Sequence, residues 1–222
     1  EWSQKIISEL KSMPNVIVKN RSQVFGYYDH NMLVMSERVS DHLPKTEKYI
    51  PKQRLWYIRA KEVIISSGSI ERPLVFGNND TPGVMLSSAA KEYLKIYGVL
   101  VGKKPLVFTN NDSGYETAIE FKKNGINPIV LDTRKDPNSE IIKEAKDLNI
   151  NIKFSYVVVA AKGYKKVNSA DIAKISEDKK NISNIENIKC DCICVSGFWT
   201  PTIHLASQSG NKTKFNEEID AF

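Results

Sequence analysis

Two short stretches of the 222-residue chain end strand-like runs in small residues, where a ligand could sit: Ser66-Ser67-Gly68 and Thr109 to Gly114. The second follows the apolar run Pro105 to Thr109 and leads into a helix-like segment from Tyr115 to Lys123. Strand, tight turn and helix in that order are the setting of a G-x-G-x-x-G turn, which lays a pyrophosphate on the helix N-terminus. Here Thr109, Asn111 and Gly114 stand at the three glycine positions. The first glycine permits the turn and the second lets the backbone touch phosphate. Asn110 and Asn111 tolerate left-handed backbone, so the turn can still form. Their side chains take up room a phosphate needs, and Asp112 adds a repelling charge. Gly114 keeps helix and strand close. Asp132 ends the next strand, about 20 residues on, where a ribose-binding carboxylate belongs; its structural alternative is a strand cap.

Other chemistry is thinly supported. Cys190, Cys192 and Cys194 form a C-x-C-x-C run, which places all three on one face of a strand. Neighbours on one strand do not bridge, so they read as small buried hydrophobes in a reducing, cytoplasmic setting. No C-x-x-C pair occurs, and His30, His42 and His204 are remote from the cysteines, so no metal site is expected. The chain shows no Ser-His-Asp set, paired carboxylates or Walker sequence, and no catalytic residue is expected in it.

The elements that must hold these stretches are legible from periodicity. A helix over 2–12 and a short strand at 16–18 come first. Extended segments over 24–28 and 32–39 meet at the turn Tyr28 to Asn31, and a polar loop over 40–53 leads to a strand at 54–58. The run Glu62 to Gly68 reads as a buried strand stopped by small residues. Asn78 to Gly83 is dense in turn formers. Next come a helix over 87–97 stopped by Gly98, a β-α-β unit over 104–134, and a helix over 137–148. Extended segments at 154–161, 165–175 and 182–189 follow, then a strand over 191–196. A helix-like stretch over 201–209 carries His204. The halves rhyme: each has a meander, then an apolar strand ending in Ser-Gly, at 67–68 and 196–197.

Composition agrees with a globular protein, at 41% hydrophobic and 26% charged residues. No apolar run reaches the length of a bilayer span. The net charge of +6 invites nucleic acid, but the lysines are spread along the chain without an aromatic RNA-binding pair, zinc spacing or recognition helix. Neither nucleic acid nor membrane is expected as a partner. The chain opens at Glu1 without Met and reads as a piece of a larger protein.

Together SSGSIERP (66–73), TNNDSGY (109–115) and VSGFWTPTIHLASQSG (195–210) resemble the alpha subunit of heterotetrameric sarcosine oxidase, within the two-dinucleotide-domain flavoproteins. YYDHN (27–31) and NNDTPG (78–83) agree, and the resemblance covers essentially the whole chain. It implies an α/β fold: a Rossmann-like dinucleotide-binding domain with a β-meander, of the pyridine nucleotide-disulfide oxidoreductase type that binds FAD or NAD. That domain, 84–198, would be inserted into the remainder of a similar first domain, 1–83 and 199–222.

The resemblance also implies a partial NAD site in the first domain. Val24 would read the adenine edge through its backbone, and Ser66, Ser67 and Gly68 would let the chain approach the dinucleotide. Arg72 would meet a phosphate or a carboxylate. Trp199 and Pro201 would pass beneath the nicotinamide or flavin, or serve as packing anchors. In the second domain Thr109, Asn111, Gly114 and Asp132 mark the corresponding positions. The complex implied demethylates sarcosine to glycine with beta, gamma and delta subunits, FMN and FAD, and tetrahydrofolate as one-carbon acceptor. Alternatives are the alpha subunit of a related amine or opine dehydrogenase, a ferredoxin-linked reductase, or a scaffold domain with a degenerate site. Exposed apolar surface is expected near Ile64, Val195 and the Trp2 helix, with artificial dimerisation of the fragment.

Overall fold

The computed structural model describes residues 2–45 and 48–222. The chain begins α1 (Trp2–Ser12), β1 (Ser22–Tyr28), a 3-10 turn (Asp29–Asn31), β2 (Met32–Arg38) and β3 (Gln53–Arg59). It continues β4 (Ser69–Glu71), β5 (Val84–Leu86), α2 (Ser87–Tyr97), β6 (Pro105–Thr109), α3 (Ser113–Lys123), β7 (Ile129–Asp132) and α4 (Glu140–Asp147). Then come β8 (Asn151–Phe154), β9 (Tyr156–Lys162), β10 (Ser169–Lys174) and β11 (Glu186–Ile188). The last elements are β12 (Cys192–Ser196), β13 (Trp199–Pro201) and α5 (His204–Gln208). Two compact units result: Glu1–Gly68 with Pro201–Phe222, and Ser69–Thr200.

The second unit is built on a sheet of order β5-β12-β6-β7-β8, parallel throughout. Every residue of β6 and β12 is buried, as required of strands covered on both faces. On one face Val107, Val130, Cys192 and Cys194 meet Ala90, Tyr115, Phe121 and Ile142 from α2, α3 and α4. On the other, Leu106, Phe108, Ile193 and Val195 meet Val158, Ala170 and Ile172 from the antiparallel meander β9-β10-β11. Strand alternation makes both cores from the same strands. Helix ends follow local chemistry. Gly98 stops α2 in left-handed backbone at φ 64, and its N–H reaches the Leu94 carbonyl. Ser139 is extended and delays α4 to Glu140, three residues later than the sequence suggests.

The first unit carries a second antiparallel meander, β1-β2-β3, with β2 central. A bulge between Val24 and Gly26 bends β1, and the Tyr28 ring lies over Gly26, where a Cβ would come within 2.6 Å of it. The backbone N–H of Tyr27 donates to the Gln208 side chain of α5 at 3.0 Å. No residue of α1 is buried, and Trp2 is 76% exposed.

Several expectations need correction. Residues 16–18 form no strand: they are paired in none of the described ladders. Residues 62–68 form none for the same reason, and Ile64 is 92% exposed. The two meanders therefore match, but only the Ser196-Gly197 pair ends a strand. The strand β8 occupies Asn151-Ile152-Lys153-Phe154, whose polar and apolar residues alternate, where the sequence reading began its extended segment only at 154. Of the loop expected over 40–53, residues 46 and 47 lie outside the described residues. The cysteines do not share a face: Cys190 precedes β12 and packs on the meander side, while Cys192 and Cys194 face the helices. Val195 is buried by that same meander.

Candidate functional site

In the parallel sheet β7 and β8 lie to one side of β6, and β12 and β5 to the other. The crevice at the carboxyl ends of β6 and β12 is therefore the topological switch point, where open α/β sheets take their ligands. Thr109 and Ser196 end these strands as neighbours. Between them stands Asn111. Its carboxamide nitrogen donates to the Ser196 carbonyl at 3.1 Å, to the Ser196 hydroxyl at 3.2 Å and to Asn110 Oδ1 at 3.0 Å. Its carboxamide oxygen accepts the Ser113 backbone N–H at 2.8 Å, at the first residue of α3. That N–H is one of the donors a phosphate would use.

Thr109 completes the closure from below. Its hydroxyl accepts the Asn111 N–H at 3.1 Å and donates to the Asn111 carbonyl at 2.8 Å. No residue from 109 to 115 takes positive φ, so side-chain bonds rather than left-handed backbone close this turn. Gly114 brings α3 against the strand: a Cβ there would stand 2.6 Å from Thr109 Cβ. Trp199 donates its indole N–H to the Ser113 hydroxyl at 2.8 Å, covering the same helix start.

Asp132, at the end of β7, is wholly buried and spoken for. It accepts the Tyr115 hydroxyl at 2.7 Å and the Arg134 backbone N–H at 2.9 Å, and Arg134 Nη2 lies 2.8 Å away. The same guanidinium nitrogen reaches Asp112 at 2.8 Å, so one cation is shared between two carboxylates and the group keeps a net negative charge beside the turn. Burial opposes the charge on Arg134, but hydrogen bonds to Asp132 and Asp112 outweigh it and hold the side chain protonated. Burial, reinforced by the Asp132 charge, keeps the Tyr115 hydroxyl protonated as a donor. Arg134 and Tyr115 were not singled out in the sequence. Only proximity in the fold reveals them.

The remaining candidates are placed as follows. Val24 lies half-buried on β1, and Ser66, Ser67 and Gly68 are exposed in the extended segment after β3. The Ser67 hydroxyl donates to the Thr202 carbonyl at 2.7 Å. Gly68 has φ 66 and open space where a Cβ would stand, so a ligand can approach its backbone. The N–H of Thr202 reaches the Gly68 carbonyl at 2.9 Å, next to Pro201. Arg72 exchanges backbone bonds with its neighbours across the β4 end: its N–H reaches the Phe198 carbonyl and its carbonyl accepts the Gly197 N–H. Beside it Glu71, missed in the sequence, is buried and accepts the Ser88 N–H at the start of α2 at 2.8 Å. Among the described residues no cluster of three or more His, Cys, Asp or Glu could hold a metal, and no helix is long and apolar enough to cross a membrane.

No protein-family model matches the chain. Its whole length is 34% identical to sarcosine oxidase subunit alpha from Rhizobium meliloti (strain 1021) and 30% identical to that of Corynebacterium sp. (strain U-96). The chain is similar throughout to sarcosine oxidase alpha subunits. It spans 21% and 23% of the length of these two relatives. Among solved structures, a NAD-dependent persulfide reductase from A. fulgidus matches 93% of this chain and 36% of its own, with TM-score 0.63 and 13% identity. That likeness shows a Rossmann-like α/β fold, in which the turn from Thr109 to Gly114 is closed by the chain's own side chains.

Proposed function

We propose that this chain is the central dinucleotide-domain module of a sarcosine oxidase alpha subunit and acts in binding and assembly rather than in amine oxidation. The reading rests on similarity along the whole chain to subunits of that name. The whole protein would belong to an oxidoreductase complex that demethylates sarcosine to glycine and passes the one-carbon unit to tetrahydrofolate, with FMN or FAD beside its partner subunits.

One observation divides the roles within the chain. The Asn111 carboxamide occupies the donor end of α3 and the switch point together, so the residues of the second unit do not fit a pyrophosphate. NAD then belongs to the first unit. There Ser66, Ser67 and Gly68 would lie under the dinucleotide, Val24 would meet its adenine and Pro201 its nicotinamide end. A bound dinucleotide would supply a hydride-accepting ring; this chain supplies backbone contacts and open space at Gly68. Arg72, Trp199 and Asp132 act as positioning residues within the second unit.

Calorimetry of NAD binding tests this with the 222-residue chain and with the longer protein that carries it. Binding confined to the longer form is expected. Comparable binding by the short chain, abolished by substitutions at Thr109 or Asp132, would overturn the assignment.

A further inference from the structure

The helix α2 is apolar on two faces. Its inner face is spoken for: Ala90 is buried in the helix-side core and Leu94 packs against that core. The Ser87 carbonyl accepts the Thr117 hydroxyl of α3 at 3.0 Å, and Lys91 pairs with Glu116 of the same helix. The outer face carries Tyr93, Ile96 and Tyr97 at spacings of three and four, with Val99 and Leu100 just past the stop at Gly98. Ile96 and Tyr97 are 65% and 69% exposed. The Tyr93 and Tyr97 rings stand 6.1 Å apart, and with Ala89, Glu92 and Val99 they line a shallow depression of about 470 Å³. Large apolar side chains gathered in this way mark an interaction surface, whereas scattered ones do not.

The stripe is complementary to itself when reversed. Its N-terminal end is small, at Ala89, and its C-terminal end is large, at Ile96 and Tyr97. An antiparallel copy centred on Tyr93 therefore sets each large end against the other's small one. Charge follows the same symmetry. Glu92 and Lys95 lie along one side of the stripe, both exposed and without an ion pair among the described residues. In the reversed copy Glu92 falls opposite Lys95 and Lys95 opposite Glu92, the pattern by which flanking charges select a partner helix and its direction.

We propose that α2 is a self-docking surface, through which two copies of this chain pair antiparallel on Ala89, Tyr93 and Ile96, with Glu92 of each facing Lys95 of the other. One three-turn helix, about 16 Å long at 1.5 Å per residue, offers less than the ~800 Å² per partner of a stable interface, so the pairing is weak and depends on concentration. The inference does not rest on the sarcosine oxidase reading. Within a larger complex the same contact would join two complexes.

Sedimentation velocity of the intact protein over about a hundred-fold range of concentration tests the surface. The sedimentation coefficient is expected to rise with concentration. Ile96→Glu puts a charge on the exposed stripe and should weaken association at least about ten-fold. Glu92→Lys and Lys95→Glu should each weaken it by about ten-fold, because like charges then face each other. An equimolar mixture of these two variants should associate as tightly as the unchanged protein, since every facing pair is again of opposite sign. An ion pair within one helix gives no such rescue by mixing. A coefficient independent of concentration would overturn the proposal and assign the stripe to other parts of the longer protein. Association that Ile96→Glu leaves unchanged, or a mixture no tighter than its two components, would overturn it as well.

Discussion

The Asn111 carboxamide nitrogen and the Ser196 carbonyl oxygen, 85 positions apart in sequence, meet at 3.1 Å and join the ends of β6 and β12 across the switch point of the sheet. The contact fills the crevice at the carboxyl ends of these strands, beside the N–H groups that open α3.

Restoring the glycine-type turn tests whether that contact is the only block. The triple substitution Thr109→Gly, Asn111→Gly and Asp112→Ala should raise NAD affinity less than ten-fold, because Asp132 stays occupied by Tyr115 and Arg134. It should also lower stability by about 1–3 kcal/mol, since donors at Ser113 and acceptors at Ser196 lose partners. Calorimetry and urea unfolding read the two effects; a hundred-fold gain in affinity would show that the turn alone is the block.

Gly114 and Thr109 should behave as one packing unit. Gly114→Ala places a Cβ against the Thr109 side chain and should cost about 1–3 kcal/mol by overpacking. In a Thr109→Gly background the same change should cost much less, a non-additivity that a double-mutant cycle in denaturant measures. Additive losses would mean that α3 relaxes away from the strand.

Alkaline stability should report the buried thiols. Burial pushes the Cys190 thiol up to about 12, from an ordinary value of 9.0, with the neighbouring Cys192 and Asp191 adding to it. The folded state then keeps a proton that the unfolded state loses, so stability is full below pH 9 and falls as pH rises toward 12. The slope from this group is at most about 1.4 kcal/mol per pH unit. Cys190→Ala should make the decline between pH 9 and 12 shallower in denaturant titrations at stepped pH. An unchanged slope would assign the decline to other groups.

Much of the second unit was legible because its signals are local. The apolar run at 105–109, the stop at Gly98 and the position of Asp132 follow from neighbours in sequence and are realised, and the strand expected over 191–196 starts one residue later at Cys192. What failed depended on distant partners. The run 62–68 has a strand's composition, yet it is paired in none of the described ladders. Cys190 keeps the spacing of its companions, but Asp191 receives the N–H groups of Lys103 and Lys104 at 2.7 and 2.8 Å, which holds this stretch out of the ladder. In the site, the crowding by Asn111 was readable as bulk, whereas its capture of Ser196 was not. The Arg134 link between Asp112 and Asp132 likewise exists only once β7 and the α3 turn are brought side by side.

The Asn111 contacts also bear on how such a site can change over generations. A chain that exchanged Asn111 for glycine in one step would strand the Ser113 amide and the Ser196 carbonyl before any phosphate could take them up. That single exchange lowers stability while no ligand takes up the two groups, by about 1–3 kcal/mol for each polar group left unpaired. The closed turn thus resists being opened one residue at a time.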